Sequence, residues 1–179
     1  MDVRDLNLGY FNRQAAESHG ERTAIIDMSR SPAAEITHAE LDDRMDRVAS
    51  ALIQAGLRPE DRILLAMENR FEFIESFFGA MRAGCVPIPL NHKLGAETIK
   101  FIIDDSAAVA AIVDPACHPH IVSIVEDAEL STRVATDPDL VGWAEYESWL
   151  SDCSPATLTP PDIAPGQTAF LPYPSGSTG

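Results

Sequence analysis

The stretch PYPSGSTG, Pro172 to Gly179, gathers glycines and hydroxyl side chains close enough together to surround one anion with N–H and O–H donors. Ser175, Ser177 and Thr178 carry the hydroxyls, and Gly176 and Gly179 free the backbone for dihedrals that other residues avoid. That is chemistry for holding phosphate. Taken alone, the same residues fit a Gly/Ser-rich linker or a cloning scar equally well. The loop is neither G-x-x-x-x-G-K-[ST] nor G-x-G-x-x-G, so the ordinary P-loop and dinucleotide fingerprints do not apply.

Other residues of reactive type are less well placed. Cys117, His118 and His120 offer three soft metal ligands in four positions, but Pro119 and the tight spacing make joint tetrahedral ligation awkward, and a surface loop is expected. The pairs Asp42–Asp43 and Asp104–Asp105 fall on predicted helices whose polar faces need solvation. Phe71, Phe77 and Phe78 suit either an acyl pocket or, by the commoner use of aromatics at helical spacing, core. His38 and His92 have no evident partner, and Cys85 reads as a small buried hydrophobe.

These residues need a framework, and composition bounds it. The chain has 179 residues, enough for one domain with a real core, and 45% of them are hydrophobic. Its 13 basic and 28 acidic residues give a net charge of −15, whose field repels nucleic acid and anionic membrane alike. No apolar run approaches the roughly 18 to 20 residues that cross a bilayer. The three cysteines are widely spaced, without a C-x-x-C pair, and a reducing, cytoplasmic setting is expected. No internal repeat is present at a solenoid period.

The elements alternate. In ITHAELDDRMDRVASALIQAG, Thr37 and Glu40 form a capping box and Ile36 and Leu41 a hydrophobic staple. Leu41, Met45, Val48, Ala49, Leu52 and Ile53 then recur at helical spacing, with Gly56 as the stop. RILLAM, 62–67, reads as a strand covered on both faces. NRFEFIESFFGAMRAG predicts a second helix, capped by Asn69 with Glu72 at its third position, ended by Gly84, and carrying Phe71, Phe73, Ile74, Phe77, Phe78 and Met81 around more than one side. VPIPL, 86–90, follows as a strand whose Pro87 and Pro89 belong at an edge or bulge. A helix over 95–105, a strand in AVAAIV, a helix over 121–126, a short strand in RVAT and an acidic helical piece over 143–150 complete the series. The fold class is α/β, with a mostly parallel sheet flanked by helices.

SPATLTPPDIAPGQ reads as an ordered loop or linker, and TAFLPY, 168–173, as a last apolar strand that delivers the chain to the Ser/Gly/Thr loop. A loop emerging from a strand of a parallel sheet is where such folds bind ligands, which favours the phosphate reading.

At this point three segments resemble one family. YPSGSTG at 173–179 resembles the first half of the phosphate-binding signature of the adenylate-forming superfamily, which includes acyl-CoA and aryl-CoA synthetases, firefly-type luciferases and peptide-synthetase adenylation domains. ITHAEL at 36–41 and MRAGCVPIPLN at 81–91 resemble two further family segments in the same order. Pro174 departs from the usual Thr or Ser, stiffening the loop and removing a donor. The resemblance implies ATP-dependent activation of a small-molecule carboxylate to an acyl adenylate, then transfer to a thiol, typically CoA. It assigns Ser175, Gly176, Ser177, Thr178 and Gly179 to the β- and γ-phosphates with Mg present. It also implies that the chain, residues 1–179, is a partial N-terminal domain, cut inside its own nucleotide loop. The later Lys, the adenine contacts, the Mg-binding Glu and the C-terminal lid would all lie beyond it. Such a piece is expected to be inactive alone and to self-associate. The alternative is a natural non-catalytic interaction module of the same family.

Overall fold

A computed structural model describes residues 3–28, 30–91, 93–118, 120–154 and 159–174. Two short 3-10 turns, Val3–Leu6 and Leu8–Tyr10, lead into α1 (Arg13–His19). An antiparallel hairpin follows, β1 (Thr23–Asp27) with β2 (Ala34–Thr37). The sequence reading contains no counterpart of this hairpin. Then come α2 (His38–Gln54), β3 (Arg62–Ala66), α3 (Phe71–Arg82), β4 (Val86–Pro89), α4 (Ala96–Ser106), β5 (Ala110–Val113), α5 (Ile121–Glu126), β6 (Thr132–Ala135), β7 (Ala144–Glu145) and α6 (Tyr146–Ser151).

The strands from β3 to β7 form one parallel sheet in the order β4-β3-β5-β6-β7. Successive residues of each strand face opposite sides, which builds two cores. Ile63, Leu65, Ala110, Ile112 and Val134 meet Val48, Leu52 and Ala80 of α2 and α3 on one side. Leu64, Ala66, Ile88, Ala111 and Val113 meet Ile99, Ile102, Ile121 and Val125 of α4 and α5 on the other. Covered on both faces, the strands need no polar alternation, which is why RILLAM is continuous. β4 is an edge strand of this sheet, where Pro87 and Pro89 are tolerated.

α2 begins as its sequence predicts. Thr37 Oγ1 accepts from the Glu40 N–H at 3.2 Å, and Glu40 Oε2 accepts from the Thr37 N–H at 2.8 Å. Ile36 and Leu41 are buried together, and Gly56, at φ +89°, takes the left-handed position after the helix. Ile53 departs from expectation and is exposed. The bonds from Thr37 hold the Glu40 carboxyl below its usual range. A depressed carboxylate stabilises the fold above its unfolded pKa, and that contribution disappears as pH falls through the lower folded value. Thr37→Ala is expected to cost about 1 kcal/mol in urea unfolding at neutral pH. Glu40→Gln should flatten the acid limb of stability against pH; an unchanged limb would show that the cap does not carry it.

α3 differs from its reading in two ways. Arg70 rather than Asn69 is the N-cap, without a capping bond of its own side chain, and Glu72 is the second helical residue. Glu72 is thereby free to pair with Arg70 and Arg30 instead of closing a capping box. The helix is sandwiched as expected, but its fully buried residues include Glu75, Ser76 and Arg82, while Phe71, Phe73, Ile74, Phe77 and Phe78 are only partly covered.

Candidate functional site

The sheet order places β3 between its two successors, so the chain leaves β3 toward one neighbour and later returns to the other side. In such sheets the carboxyl ends at the reversal form the natural ligand crevice. Here that crevice, between the ends of β3 and β5, is bridged by an ion pair. Arg70, in the turn after β3, reaches Asp114, the first residue after β5, at 2.7 Å. Arg70 also holds Glu72 at 2.7 Å, and Arg30 from the hairpin reaches the same carboxylate. Burial pushes Glu72 upward, but the hydrogen bonds from Arg70 and the two guanidinium charges prevail and keep it below the usual range. These charges brace the rim of the sheet.

The open space lies one strand over. A cleft of about 640 Å3 at the carboxyl ends of β3 and β4 is lined by Glu68 and Asn69 on one side and Asn91 and Lys93 on the other, with Met67 and Leu90 between. Asn91 Oδ1 accepts the Lys93 N–H at 3.0 Å and shapes that turn.

The segment leading to the Ser/Gly/Thr loop runs beside this strand pair. Gln167 Nε2 donates to Gly84 O at 2.8 Å, and four residues on the Leu171 N–H donates to Pro87 O at 3.1 Å. The segment therefore advances in the same direction as β4 and brings Pro174 toward the carboxyl ends. Tyr173 Oη donates to Asp105 Oδ2 at 2.7 Å. Burial first, and the Asp105 carboxylate next, push the Tyr173 phenol up to about 12. Gly84 makes the approach possible. At φ +75° it turns the chain from α3 into β4, and a Cβ there would meet Ile163 at 3.0 Å and Pro161 at 3.2 Å.

TAFLPY is not a strand, a correction to the sequence reading. The outward positions of its neighbour are Pro87 and Pro89, which have no N–H to give, so no ladder forms. Ser175, Gly176, Ser177, Thr178 and Gly179 lie outside the described residues.

Several of the other residues of reactive type have structural partners. His118 is engaged at both ring nitrogens, with Leu94 O at 3.2 Å and the His120 N–H at 3.1 Å. Cys117 Sγ points to Ala66 O. Pro119 and His92 lie outside the described residues, and among those described no group of three or more acids, histidines or cysteines is arranged around a metal. Asp42 binds Arg82, Asp43 binds Arg47, and Asp105 holds Tyr173. His38 Nδ1 lies 2.6 Å from Asn12 Oδ1. Cys85, Cys117 and Cys153 are all buried and unpaired. Sequence reasoning missed Gln167, Arg70 and Asp114. Their partners lie 83 and 44 residues away, and no local pattern marks them.

No described helix is long and apolar enough to cross a membrane. Comparison with known proteins agrees with this architecture. The chain is 31% identical over 186 residues to the 4-hydroxybenzoate–CoA/benzoate–CoA ligase of Rhodopseudomonas palustris, covering 100% of this chain and 33% of that protein. It is 29% identical over 177 residues to the L-proline–[L-prolyl-carrier protein] ligase of Streptomyces coelicolor, covering 93% of this chain and 32% of that one. The fold matches the crystal structure of the anthranilate CoA ligase AuaEII in complex with anthranoyl-AMP with a TM-score of 0.86 at 24% identity, over 100% of this chain and 35% of that one. The chain thus spans about a third of the length of these relatives. Residues 11–179 match the AMP-binding enzyme family over nearly the whole sequence, and the chain belongs to that family.

Proposed function

We propose that this chain is the N-terminal part of the large domain of an ATP-dependent carboxylate–thiol ligase, residues 1–179 forming one partial domain. The observation that carries the reading is the course of residues 167–174 along β4 toward the carboxyl ends, immediately before the phosphate-type loop. The donor set suits a polyphosphate: hydroxyls at Ser175, Ser177 and Thr178, and backbone N–H groups freed by Gly176 and Gly179. In this reading those five residues hold the β- and γ-phosphates of ATP with Mg. ATP supplies the activated phosphorus for a small-molecule carboxylate, and the product is passed to a thiol. The relatives named above include both a CoA ligase and a carrier-protein ligase; CoA is our assignment for the acceptor. The contribution of this chain is positioning and charge stabilisation rather than proton transfer. The acidic charge and unpaired cysteines support a cytoplasmic setting and argue against nucleic acid as partner.

In this reading the Lys that closes the family signature and the groups that hold adenine and ribose belong to sequence outside residues 1–179. The chain alone is therefore expected to bind ATP with Mg no better than millimolar and to release no pyrophosphate with any carboxylate. Leu8, Phe11 and Phe170 are 60%, 54% and 43% exposed, which favours self-association of the isolated chain. Titration calorimetry with ATP and Mg, a pyrophosphate assay over a carboxylate panel, and light scattering on the same sample test the reading. Adding the downstream Pro-Lys-Gly and the rest of a family member should restore binding and release, and Thr178→Ala should then slow adenylation. Micromolar ATP binding by the chain alone would sink the proposed division of labour. A restored protein that releases no pyrophosphate with any carboxylate would sink the ligase assignment.

A further inference from the structure

The outer edge of β4 carries acceptors and no free donor. The Val86 and Leu90 N–H groups point inward, to Asp61 O at 2.8 Å and Leu65 O at 2.9 Å. Alternation along the strand therefore turns residues 87 and 89 outward, and both are proline. The Cys85 N–H, on the same outer parity, is given to Ala80 O at 2.9 Å. A chain lying along this edge can donate to it but receive nothing from it. Residues 167–173 do just that, with one backbone bond from Leu171 to Pro87 O and one side-chain bond from Gln167 to Gly84 O, while Tyr173 donates away from the edge, to Asp105 of α4. A regular parallel pair of the same length would be held by backbone bonds running in both directions. Apolar anchoring is also partial: Leu171 and Tyr173 are half-buried against the α4 side, and Phe170, against Phe77 at 5.6 Å, remains 43% exposed.

We propose that residues 167–173 form a strap that leaves and rejoins the edge of the sheet as a unit, with Pro87 and Pro89 keeping that edge from capturing it as a sixth strand. Release frees residues 167–173 without breaking a ladder. The inference stands on the backbone geometry of this edge and is independent of the ligase reading, which activity tests.

Hydrogen exchange on the chain as it stands, resolved by residue, is the experiment. The Phe170 and Leu171 amides are expected to exchange at least roughly 100-fold faster than those of Ala111 and Ile112 in β5. Replacing both prolines, Pro87→Val with Pro89→Val, supplies two outward donors and should slow exchange across 168–173 by roughly tenfold or more while β5 is unchanged. Wild-type Leu171 protected as well as β5 overturns the strap, and so does a double variant with intact β5 protection and no slowing. Should the double variant lose β5 protection, Leu171→Pro decides, since it deletes the one backbone bond. A strap predicts unprotected Ala169 and Phe170 beside an unchanged β5; loss of β5 protection in that variant overturns it.

Discussion

Replacing Arg82 with methionine is expected to cost about 3 kcal/mol, the low end of the range for removing one partner of a buried ion pair, because the Asp42 and Asp46 side chains left behind are 23% and 26% exposed. The Arg82 side chain is fully buried at the end of α3, and each arm of its guanidinium is engaged. Nε donates to Gly9 O at 2.8 Å, Nη1 to Asp42 O at 2.9 Å and Asp46 Oδ1 at 2.7 Å, and Nη2 to Asp42 Oδ1 at 2.5 Å. The Tyr10 ring lies 4.5 Å from the guanidinium carbon. One side chain thus joins the N-terminal turn, α2 and α3. Methionine fills much of the volume but leaves two carboxylates and two carbonyls without their donor, which is why the loss exceeds that of an exposed ion pair, about 0–1 kcal/mol. Arg82→Lys keeps the charge without the fork and should fall between. The pH dependence gives an independent sign. Burial already pushes the Asp46 pKa up, opposed by Arg82. Without Arg82 the shift grows, so the ionised form destabilises the fold, and the deficit of Arg82→Met should narrow as pH falls through the raised value. Urea unfolding at several pH values measures both; a loss below about 1 kcal/mol at neutral pH would show that the cluster is dispensable.

Gly79→Ala is the second large effect, and here two principles oppose each other. Alanine in a helix interior is favoured over glycine by about 1 kcal/mol, so propensity alone predicts stabilisation. Packing predicts the reverse. A Cβ at residue 79 would lie 2.6 Å from Val48 Cβ, 2.7 Å from Val48 Cγ1 and 2.9 Å from Met45 O. These atoms are the stem of a β-branched side chain and the backbone of α2, and neither can swing away. α2 and α3 must separate, disturbing the core that Val48, Leu52 and Ala80 share. Overpacking of this kind costs about 1–3 kcal/mol, and the stiffness of both neighbours places the net result near 2 kcal/mol destabilising. Thermal and urea unfolding of Gly79→Ala against a solvent-facing control such as Lys100→Ala in α4 separate the terms. A stabilised Gly79→Ala would mean that the helices part without cost.

The sequence revealed those features of the fold whose causes are local. The capping box at Thr37 and Glu40, the left-handed stop at Gly56 and the unbroken apolar run of β3 each arise within a few residues, and each stands where it was read. Pro87 and Pro89 were legible as edge residues because proline lacks a donor wherever it occurs. What stayed hidden depends on distant partners. α3 was read by its phenylalanines, yet Glu75 is buried because Arg44 of α2 approaches it at 2.5 Å and 2.8 Å, beside the Tyr146 of α6 that pairs with Ser76. TAFLPY has the composition of a strand and lost that state to the chemistry of its neighbour. The candidate site divides in the same way: residues 175–179 were named from their types and a family resemblance, while the Tyr173–Asp105 and Gln167–Gly84 bonds that steer the chain toward them span 68 and 83 residues.

The three buried thiols have a practical consequence. Burial pushes Cys85 up to about 12 and Cys117 up to about 11, and raises Cys153 as well. The thiolate is the nucleophile, so the folded chain presents almost no reactive sulfur near neutral pH. An alkylating reagent reaches each one only when its own surroundings open. Cys85 lies at the entry to β4, Cys117 just past β5, and Cys153 just past α6. The native sequence therefore holds three internal clocks, whose separate labelling rates distinguish opening of the sheet edge, of its centre and of the α6 flank without any engineered probe.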